Sequence, residues 1–197
     1  MSTAGTAKDA DLTAVWMPHG GIDENLRTHI HDSAKGPKPL LARGIESEGQ
    51  DLVLVPTLQG PTPPLAAAVG RDGADVVSYW RRYPADAGQT NIFDRVPYLF
   101  SVRVFAPPPW QQPLRDWLDQ EHFERQTSME GVFASEGYEP VTGQFHFFNL
   151  WAIAHPDLID SAEWIKVRDS PWYEEVRPGF QASVVRREIY RTLEPDS

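Results

Sequence analysis

The first half of the chain alternates short apolar runs with polar turns, in the order strand, helix, strand, strand, helix, strand. Residues 12 to 17 are apolar and rich in strand formers. Ile22, Leu26 and Ile30 then recur at every fourth position, which predicts a short helix. The remaining runs predict strands over 41 to 48, 51 to 57 and 75 to 80, with one or two helical turns over 65 to 69.

The second half repeats this order with clearer signals. Residues 98 to 105 alternate as a strand does, and the three prolines at 107 to 109 end it. Leu114, Trp117, Leu118, Glu121, His122 and Arg125 share one side of a helix that is predicted to begin near Pro113. The last elements are strands over 132 to 141, 145 to 153 and 181 to 190, a helix capped at 160 to 163, and a short helix opening at 170 to 172.

Two βαββαβ units in tandem predict an α+β fold made of two ferredoxin-like units. Each unit forms a four-stranded antiparallel sheet with helices on one face, so its bare face needs cover. The other unit's bare face is the nearest cover, which predicts an intrachain α/β barrel with a cavity between the two sheets. The predicted boundaries are a disordered tail at 1–10, a first unit at 11–84, a linker at 85–97 and a second unit at 98–193. Such a chain is predicted to be a monomer or a homodimer.

Composition narrows the class of protein and its partners. The 197 residues are 41% hydrophobic with seven Trp, enough for a folded core, and the net charge of -10 comes without any basic run, which argues against nucleic acid. The chain has no Cys, so disulfides and thiolate chemistry are excluded. The first residues lack the basic and apolar regions of a signal peptide, and no apolar run approaches the roughly 18 residues of a membrane span. A cytoplasmic location without membrane contact is expected.

Several motifs of the second half carry a resemblance to a known superfamily. They are the helix 117 to 122, the pairs Gly131-Val132 and Gly137-Tyr138, the strand 145 to 153, and the segments 160 to 164, 170 to 172 and 177 to 180. Over residues 98 to 190 the chain resembles the dimeric α/β-barrel superfamily, in the branch of EthD-like proteins and related small stress-response or polyketide-tailoring enzymes. The first half matches in element order, with His29 where the second half has His122.

His122 is the first candidate for chemistry. It lies four residues after Leu118, so it falls on the sheet-facing stripe of its helix. In the resembled superfamily, a His at this place borders the cavity and acts as acid, base or, in some members, metal or heme ligand. A buried His hydrogen-bonded to backbone is the structural alternative. His29 and His31 point about 200° apart on a helix, so no metal site is predicted there.

Two strands supply the other candidates. Phe100, Val102 and Val104 form an apolar face that suits helix cover, which would aim Ser101 and Arg103 into the barrel. Arg103 is then either an anchor for an anionic or enolate oxygen, or half of an internal salt bridge with a Glu. On the strand 145 to 153, one face carries His146 and the other carries Asn149 and Trp151, and either face could line the cavity.

Three functions stay open at this point. The first is a cofactor-independent enzyme that acts on a small aromatic or polyketide-like metabolite by cyclisation, dehydration, isomerisation or oxygenation. In this enzyme His122 moves the proton, and Arg103 or Tyr138 stabilises the oxyanion. Trp117 helps to shape a pocket for an apolar or aromatic ligand. The second is a binding or stress-response module without catalysis. The third is a heme enzyme with His122 or His29 as axial ligand. Phosphate loops, dinucleotide fingerprints and serine-hydrolase elbows do not occur in the sequence.

Overall fold

A computed structural model describes residues 11–33, 40–45, 50–56, 73–83, 92 and 96–193. Its strands are β1 (Leu12–Pro18), β2 (Leu40–Gly44), β3 (Gln50–Pro56), β4 (Asp75–Tyr83), β5 (Tyr98–Phe105), β6 (Val132–Pro140), β7 (Phe147–Ile153) and β8 (Val184–Leu193). Its helices are α1 (Glu24–Ser33), α2 (Pro108–Trp117), a π-helical turn (Leu118–His122), α3 (Phe123–Thr127), a 3-10 turn (Pro156–Asp160), α4 (Ala162–Arg168) and α5 (Pro171–Gln181). The predicted helix at 65–69, the tail, and all of the linker except residues 92, 96 and 97 lie outside the described residues.

The strands form a closed barrel in the order β1-β3-β2-β8-β5-β7-β6-β4. When the four strands of each half are numbered along the chain, their order across the sheet is fourth, first, third and second, which is the ferredoxin-like arrangement. The paired strands with a described register are antiparallel throughout. The predicted fold class, an α+β barrel of ferredoxin-like units, is confirmed.

The chain divides into two compact units, which differ somewhat from the predicted segments. Unit 1 comprises residues 1–81, 140–143 and 189–197, and unit 2 comprises residues 82–139 and 144–188. The end of β4 therefore belongs with unit 2, while the end of β8 belongs with unit 1.

Unit 1 places α1 over an aliphatic core. Ile22 and Leu26 pack with Val15, Val53 and Val55, and all five side chains are almost completely buried. The chain enters α1 through a loop held by the carboxylate of Asp51, which is fully buried. That carboxylate accepts the N–H groups of Gly20 and Ile22, each at 3.1 Å, and the Arg43 Nε lies 3.7 Å away.

Unit 2 covers one face of β5 and β7 with helices. The two strands are antiparallel, with Phe100 opposite Trp151 and Val102 opposite Asn149. The ring of Phe100 meets Trp164 of α4 edge-on at 5.7 Å, so this face is the helix-covered one. Between α2 and α5 the packing is close, since a Cβ added at Gly179 would lie 2.7 Å from the ring of Trp110.

The main differences from the predicted elements lie in the helix that carries His122 and in the last strand. The helix expected from Pro113 begins at Pro108, because proline at the first helical positions sacrifices no helical hydrogen bond. The π-helical turn was not predicted, and it adds one residue to the middle of that helix. The last strand runs from Val184 to Leu193 rather than over 181 to 190, because α5 continues to Gln181.

Candidate functional site

A cavity of about 380 Å³ lies inside unit 2, between the sheet and its own helices. Residues of β5, β7 and β8 form one wall, and residues of α2, the π-helical turn, α4 and α5 form the other. The sequence predicted a cavity between two sheets, which stays a prediction, whereas this cavity lies on the face of the sheet that helices cover. Aromatic rings dominate its lining: Phe100, Trp117, Trp151, Trp164, Tyr173 and Phe180.

His122 is the last residue of the π-helical turn and lines this cavity. Its imidazole stacks on the indole of Trp117 with ring centroids 4.0 Å apart, and Trp151 meets it edge-on at 5.9 Å. The residue is 7% exposed. Within the described part of the chain, the imidazole has no hydrogen-bond partner, so the backbone-bonded alternative raised from the sequence is not what the structure shows.

The environment of His122 keeps its imidazole neutral. Burial, helped by the positive charges of Arg168 and Arg125, lowers the pKa of His122 to about 3. At neutral pH the ring offers one N–H donor and one bare nitrogen acceptor. It takes up a proton only when a negative charge forms beside it.

Asn149 presents a defined end of its amide to the cavity. Its Oδ1 accepts a hydrogen bond of 3.2 Å from Nη2 of Arg82. A guanidinium can only donate, so the atom facing Arg82 has to be the amide oxygen. Asn149 itself lines the cavity, and its NH2 group is the part of the amide that Arg82 does not bind.

Arg82 is itself held by a buried network. It forms ion pairs with Asp119 and, at 3.5 Å, with Glu139, and its guanidinium lies over the rings of Phe123 and Phe147 at 5.7 and 5.2 Å. Burial lowers the pKa of Arg82 to about 10, with Glu139 opposing that shift and the charge of Arg115 adding to it. The side chain therefore stays charged at neutral pH and keeps the Asn149 amide in one orientation.

Three further cavity-lining residues carry buried polar atoms without a partner. These are the indole Nε1 atoms of Trp117 and Trp151 and both ends of the Gln126 amide. Gln126 was missed from the sequence, because a regular helical repeat places Arg125 on the buried stripe. The π-helical turn adds a residue, so Gln126 takes that position while Arg125 pairs with Glu121 at 2.8 Å.

The polar rim of the cavity is positively charged. Three arginines, Arg168, Arg177 and Arg187, line it against a single acid, Asp160. Arg168 and Arg177 each pair with an acid next to them on their own segment, Asp169 and Glu174 respectively. Arg187 has no ion-pair partner among the residues that the structure describes. This local excess of positive charge stands in a chain whose net charge is -10.

Of the residues proposed from the sequence, the cavity brings together His122, Trp117, Asn149 and Trp151. It does not include Ser101 or Arg103, which lie on the opposite face of β5 from Val102. Arg103 is 3% exposed and its Nη2 lies 3.2 Å from Glu188, which is the internal salt bridge that the sequence left open.

Tyr138 and His146 also lie away from this cavity. The hydroxyl of Tyr138 donates to the carboxylate of Glu136, and the Tyr138 ring is fully buried. His146 precedes β7, with its Nδ1 3.0 Å from the carbonyl oxygen of Gln144 and its ring stacked on Phe105 at 4.7 Å. The side chain of His29 lies outside the described residues.

The described residues show neither a metal-binding cluster nor a membrane-spanning helix. They contain no group of three or more His, Asp or Glu side chains arranged to hold a metal ion. None of the helices in this part of the chain is long and apolar enough to cross a lipid bilayer.

Comparisons with known proteins yield structural relatives only. No family model and no curated protein matches the sequence. Among solved structures, a monooxygenase-like protein from Listeria innocua has a TM-score of 0.59 at 9% identity, covering 96% of this chain and 98% of its own. An anthrone oxidase-like protein reaches 0.58 at 11% identity, covering 96% and 94%. A candidate chlorite dismutase reaches 0.58 at 13% identity, covering 93% and 95%. At these identities the likeness shows a shared ferredoxin-fold barrel.

The heme alternative can be compared with the surroundings of His122. Its bare imidazole nitrogen at the cavity wall meets one requirement of an axial ligand. A metal-ligating His nearly always donates its second ring N–H to a carboxylate, carbonyl or water, which orients the ring. Among the described residues no side chain or carbonyl accepts from His122, and stacking on Trp117 orients the ring instead. Beside His122, this part of the chain therefore supplies no protein acceptor for the second ring nitrogen of an axial ligand.

Proposed function

We propose that this chain is an enzyme that removes a proton from a small, flat aromatic metabolite bound in the unit 2 cavity, without a bound cofactor. One observation carries the proposal: a neutral, buried imidazole, His122, stands between two indole rings at the cavity wall with no partner in the described protein. Its bare ring nitrogen can accept a proton from a bound molecule if the anion that forms raises the pKa of His122.

The cavity suits binding of such a molecule. Its volume of about 380 Å³ lies within the range of roughly 300–1,000 Å³ that small-molecule sites occupy. Aromatic walls favour flat ligands, which they contact by stacked or edge-on rings. The NH2 of Asn149 and the indole N–H groups of Trp117 and Trp151 supply donors for ligand oxygens.

Proton transfer from a substrate to His122 would be favoured by the attraction between the two opposite charges that it creates. A substrate O–H, or a C–H next to a carbonyl, would give its proton to the bare imidazole nitrogen and become a phenolate or enolate. That anion would raise the pKa of the neighbouring His122, since an opposite charge favours the protonated form. Asn149, held in orientation by Arg82, would donate to the new oxyanion.

The names of the structural relatives, which include a monooxygenase-like and an anthrone oxidase-like protein, favour oxygenation as the step that follows proton removal. In that case an activated methylene would react with O2, one oxygen atom becoming the product carbonyl and the other leaving as water with both methylene hydrogens. Cyclisation, dehydration and isomerisation would start from the same anion. The EthD-like and polyketide-tailoring branches remain predictions from the sequence resemblance.

The test is turnover of a panel of anthrones and hydroxylated polycyclic ketones, followed by oxygen consumption and product absorbance. We expect His122→Ala to lower kcat/KM by roughly 10²- to 10⁴-fold, the usual worth of general acid–base catalysis. His155→Ala is the matched control, because His155 is exposed and does not line the cavity. Full activity in His122→Ala would refute the proton-transfer role.

Two other outcomes would replace the proposal. Binding of panel members without turnover of any of them would favour the non-catalytic module. A Soret band formed by adding hemin to the protein, and lost in His122→Ala, would favour the heme enzyme.

A further inference from the structure

Gln126 is the polar side chain of the cavity whose presence is hardest to explain by folding. It is fully buried, and among the described residues neither its amide oxygen nor its amide nitrogen has a hydrogen-bond partner. Buried polar groups are paired in the great majority of cases, and each unpaired one is costly. A Met or Leu at this position would fill the same space without that cost. The amide is therefore better explained by a ligand than by the fold.

The arrangement of the two free atoms defines what that ligand offers. A carboxamide presents an acceptor and a donor side by side, so it pairs best with an edge that carries one donor next to one acceptor. Lactams and hydroxy-carbonyl pairs have such an edge. Gln126 lies one helical turn after His122, and both line the cavity, so the same ligand can reach both residues.

The other end of the ligand is indicated by the arginines. Arg187 lies on β8, which supplies a different wall from the helix carrying Gln126, and it is exposed while Gln126 is buried. A guanidinium without an ion-pair partner in the described part of the chain, such as that of Arg187, is a natural partner for a carboxylate of a ligand. Arg168 and Arg177 add to the positive potential of the same rim.

We infer that the ligand of the unit 2 cavity is a flat aromatic acid, which places a donor–acceptor edge against Gln126 and its carboxylate among the rim arginines. This inference rests on the proposed function only in assuming that this cavity is the site. It goes further by naming the chemical class of the molecule that is bound.

Binding of three matched probes tests the inference. 2-Oxo-1,2-dihydroquinoline-4-carboxylate carries both features, quinoline-4-carboxylate lacks the donor–acceptor edge, and 2-quinolone lacks the carboxylate. Binding would be measured by calorimetry and by quenching of tryptophan fluorescence, since two indoles line the cavity. We expect the first probe to bind roughly ten- to a hundred-fold more tightly than either of the others, as loss of a buried hydrogen bond or ion pair predicts.

Gln126→Met should bind the first probe and quinoline-4-carboxylate equally, because it removes both polar atoms with little change in shape. Its melting temperature should equal or exceed that of the parent, since no hydrogen bond within the protein is lost. Gln120→Met is the control: Gln120 is exposed on the same helix and should leave binding unchanged. A preference for the lactam edge that survives in Gln126→Met would overturn the inference.

Arg187→Gln should weaken the first probe toward the affinity of 2-quinolone. Arg186→Gln is its control, because Arg186 packs over Phe105 and does not line the cavity. Failure of the parent to bind the first probe, or equal binding of all three, would also overturn the inference. None of these measurements requires turnover, so a protein that binds as expected but is inactive would refute the proposed enzyme and leave the ligand class standing.

Discussion

The two units use the same strand order but fill the space under their helices differently. In unit 1, aliphatic side chains of α1 and the sheet pack together, with Ile22 and Leu26 against Val15, Val53 and Val55. In unit 2, the helix-covered face of β5 and β7 opens into a cavity with aromatic walls and unpaired polar atoms. Among the described residues, the aromatic cavity and its buried polar atoms belong to unit 2.

The two units also differ in what their buried charged side chains bind. In unit 1 the buried Asp51 accepts two backbone N–H groups and serves to hold a loop. In unit 2 the buried Arg82 spans two acids and the Asn149 amide, so its network ends at the cavity. One unit uses buried charge to fix backbone, and the other uses it to orient a group that a ligand can contact.

The largest expected effect comes from breaking the unit 2 network. Arg82→Met should lower the free energy of unfolding by about 3–5 kcal/mol, because Asp119 and Glu139 lose their buried partner. Arg43→Met in unit 1 should cost about 1 kcal/mol, since Asp51 keeps both backbone hydrogen bonds. Urea unfolding of the two variants measures the difference, and equal losses would contradict this contrast between the units.

A smaller effect is expected from enlarging one valine in each unit. Val53→Phe should cost about 1–3 kcal/mol, because Val53 lies in a filled core with no room for a ring. Val102→Phe should cost well under this amount, because Val102 lines the cavity and the ring can occupy it. Thermal unfolding would measure both, and Val102→Phe should also abolish binding of the quinoline probes. If both variants lost the same stability, the cavity would not exist as described.

Over the single unit from pH 6 to pH 5, the smallest expected effect is a dependence of stability on pH. The pKa of His122 is about 3 in the folded protein and about 6.5 when unfolded, so between these pH values the unfolded state binds the extra proton. The free energy of unfolding is therefore not reduced by His122 above about pH 6.5. Below this pH it declines as the pH falls, by at most about 1.4 kcal/mol per pH unit. His122→Gln should flatten the curve between pH 6 and 5, whereas His155→Gln should not; parallel curves for all three proteins would show that His122 is not held neutral.

The fold could be predicted because it depends on local alternation. Residues 98 to 105 alternate between two faces, and β5 has these bounds in the structure. The same alternation placed Phe100, Val102 and Val104 against helices, where they lie. The cavity could not be placed by this reasoning, since the space left between a sheet and its helices depends on how rings pack across them. Arg103 lies on the other face of β5, as expected from the alternation, and its proposed role in ligand binding stays a prediction.

The π-helical turn also controls the phase of the helix that carries the site. Leu114, Leu118, His122 and Gln126 are all buried and recur every four residues. In a regular α-helix such a row drifts by about 40° per step, so Gln126 would lie about a third of a turn away from Leu114. The wider turn absorbs the extra residue and brings the row back into line. Deleting one residue from this turn would restore a regular α-helix and rotate His122 and Gln126 away from the face that carries Trp117. A single-codon insertion or deletion is therefore enough to assemble or to dismantle this arrangement of side chains.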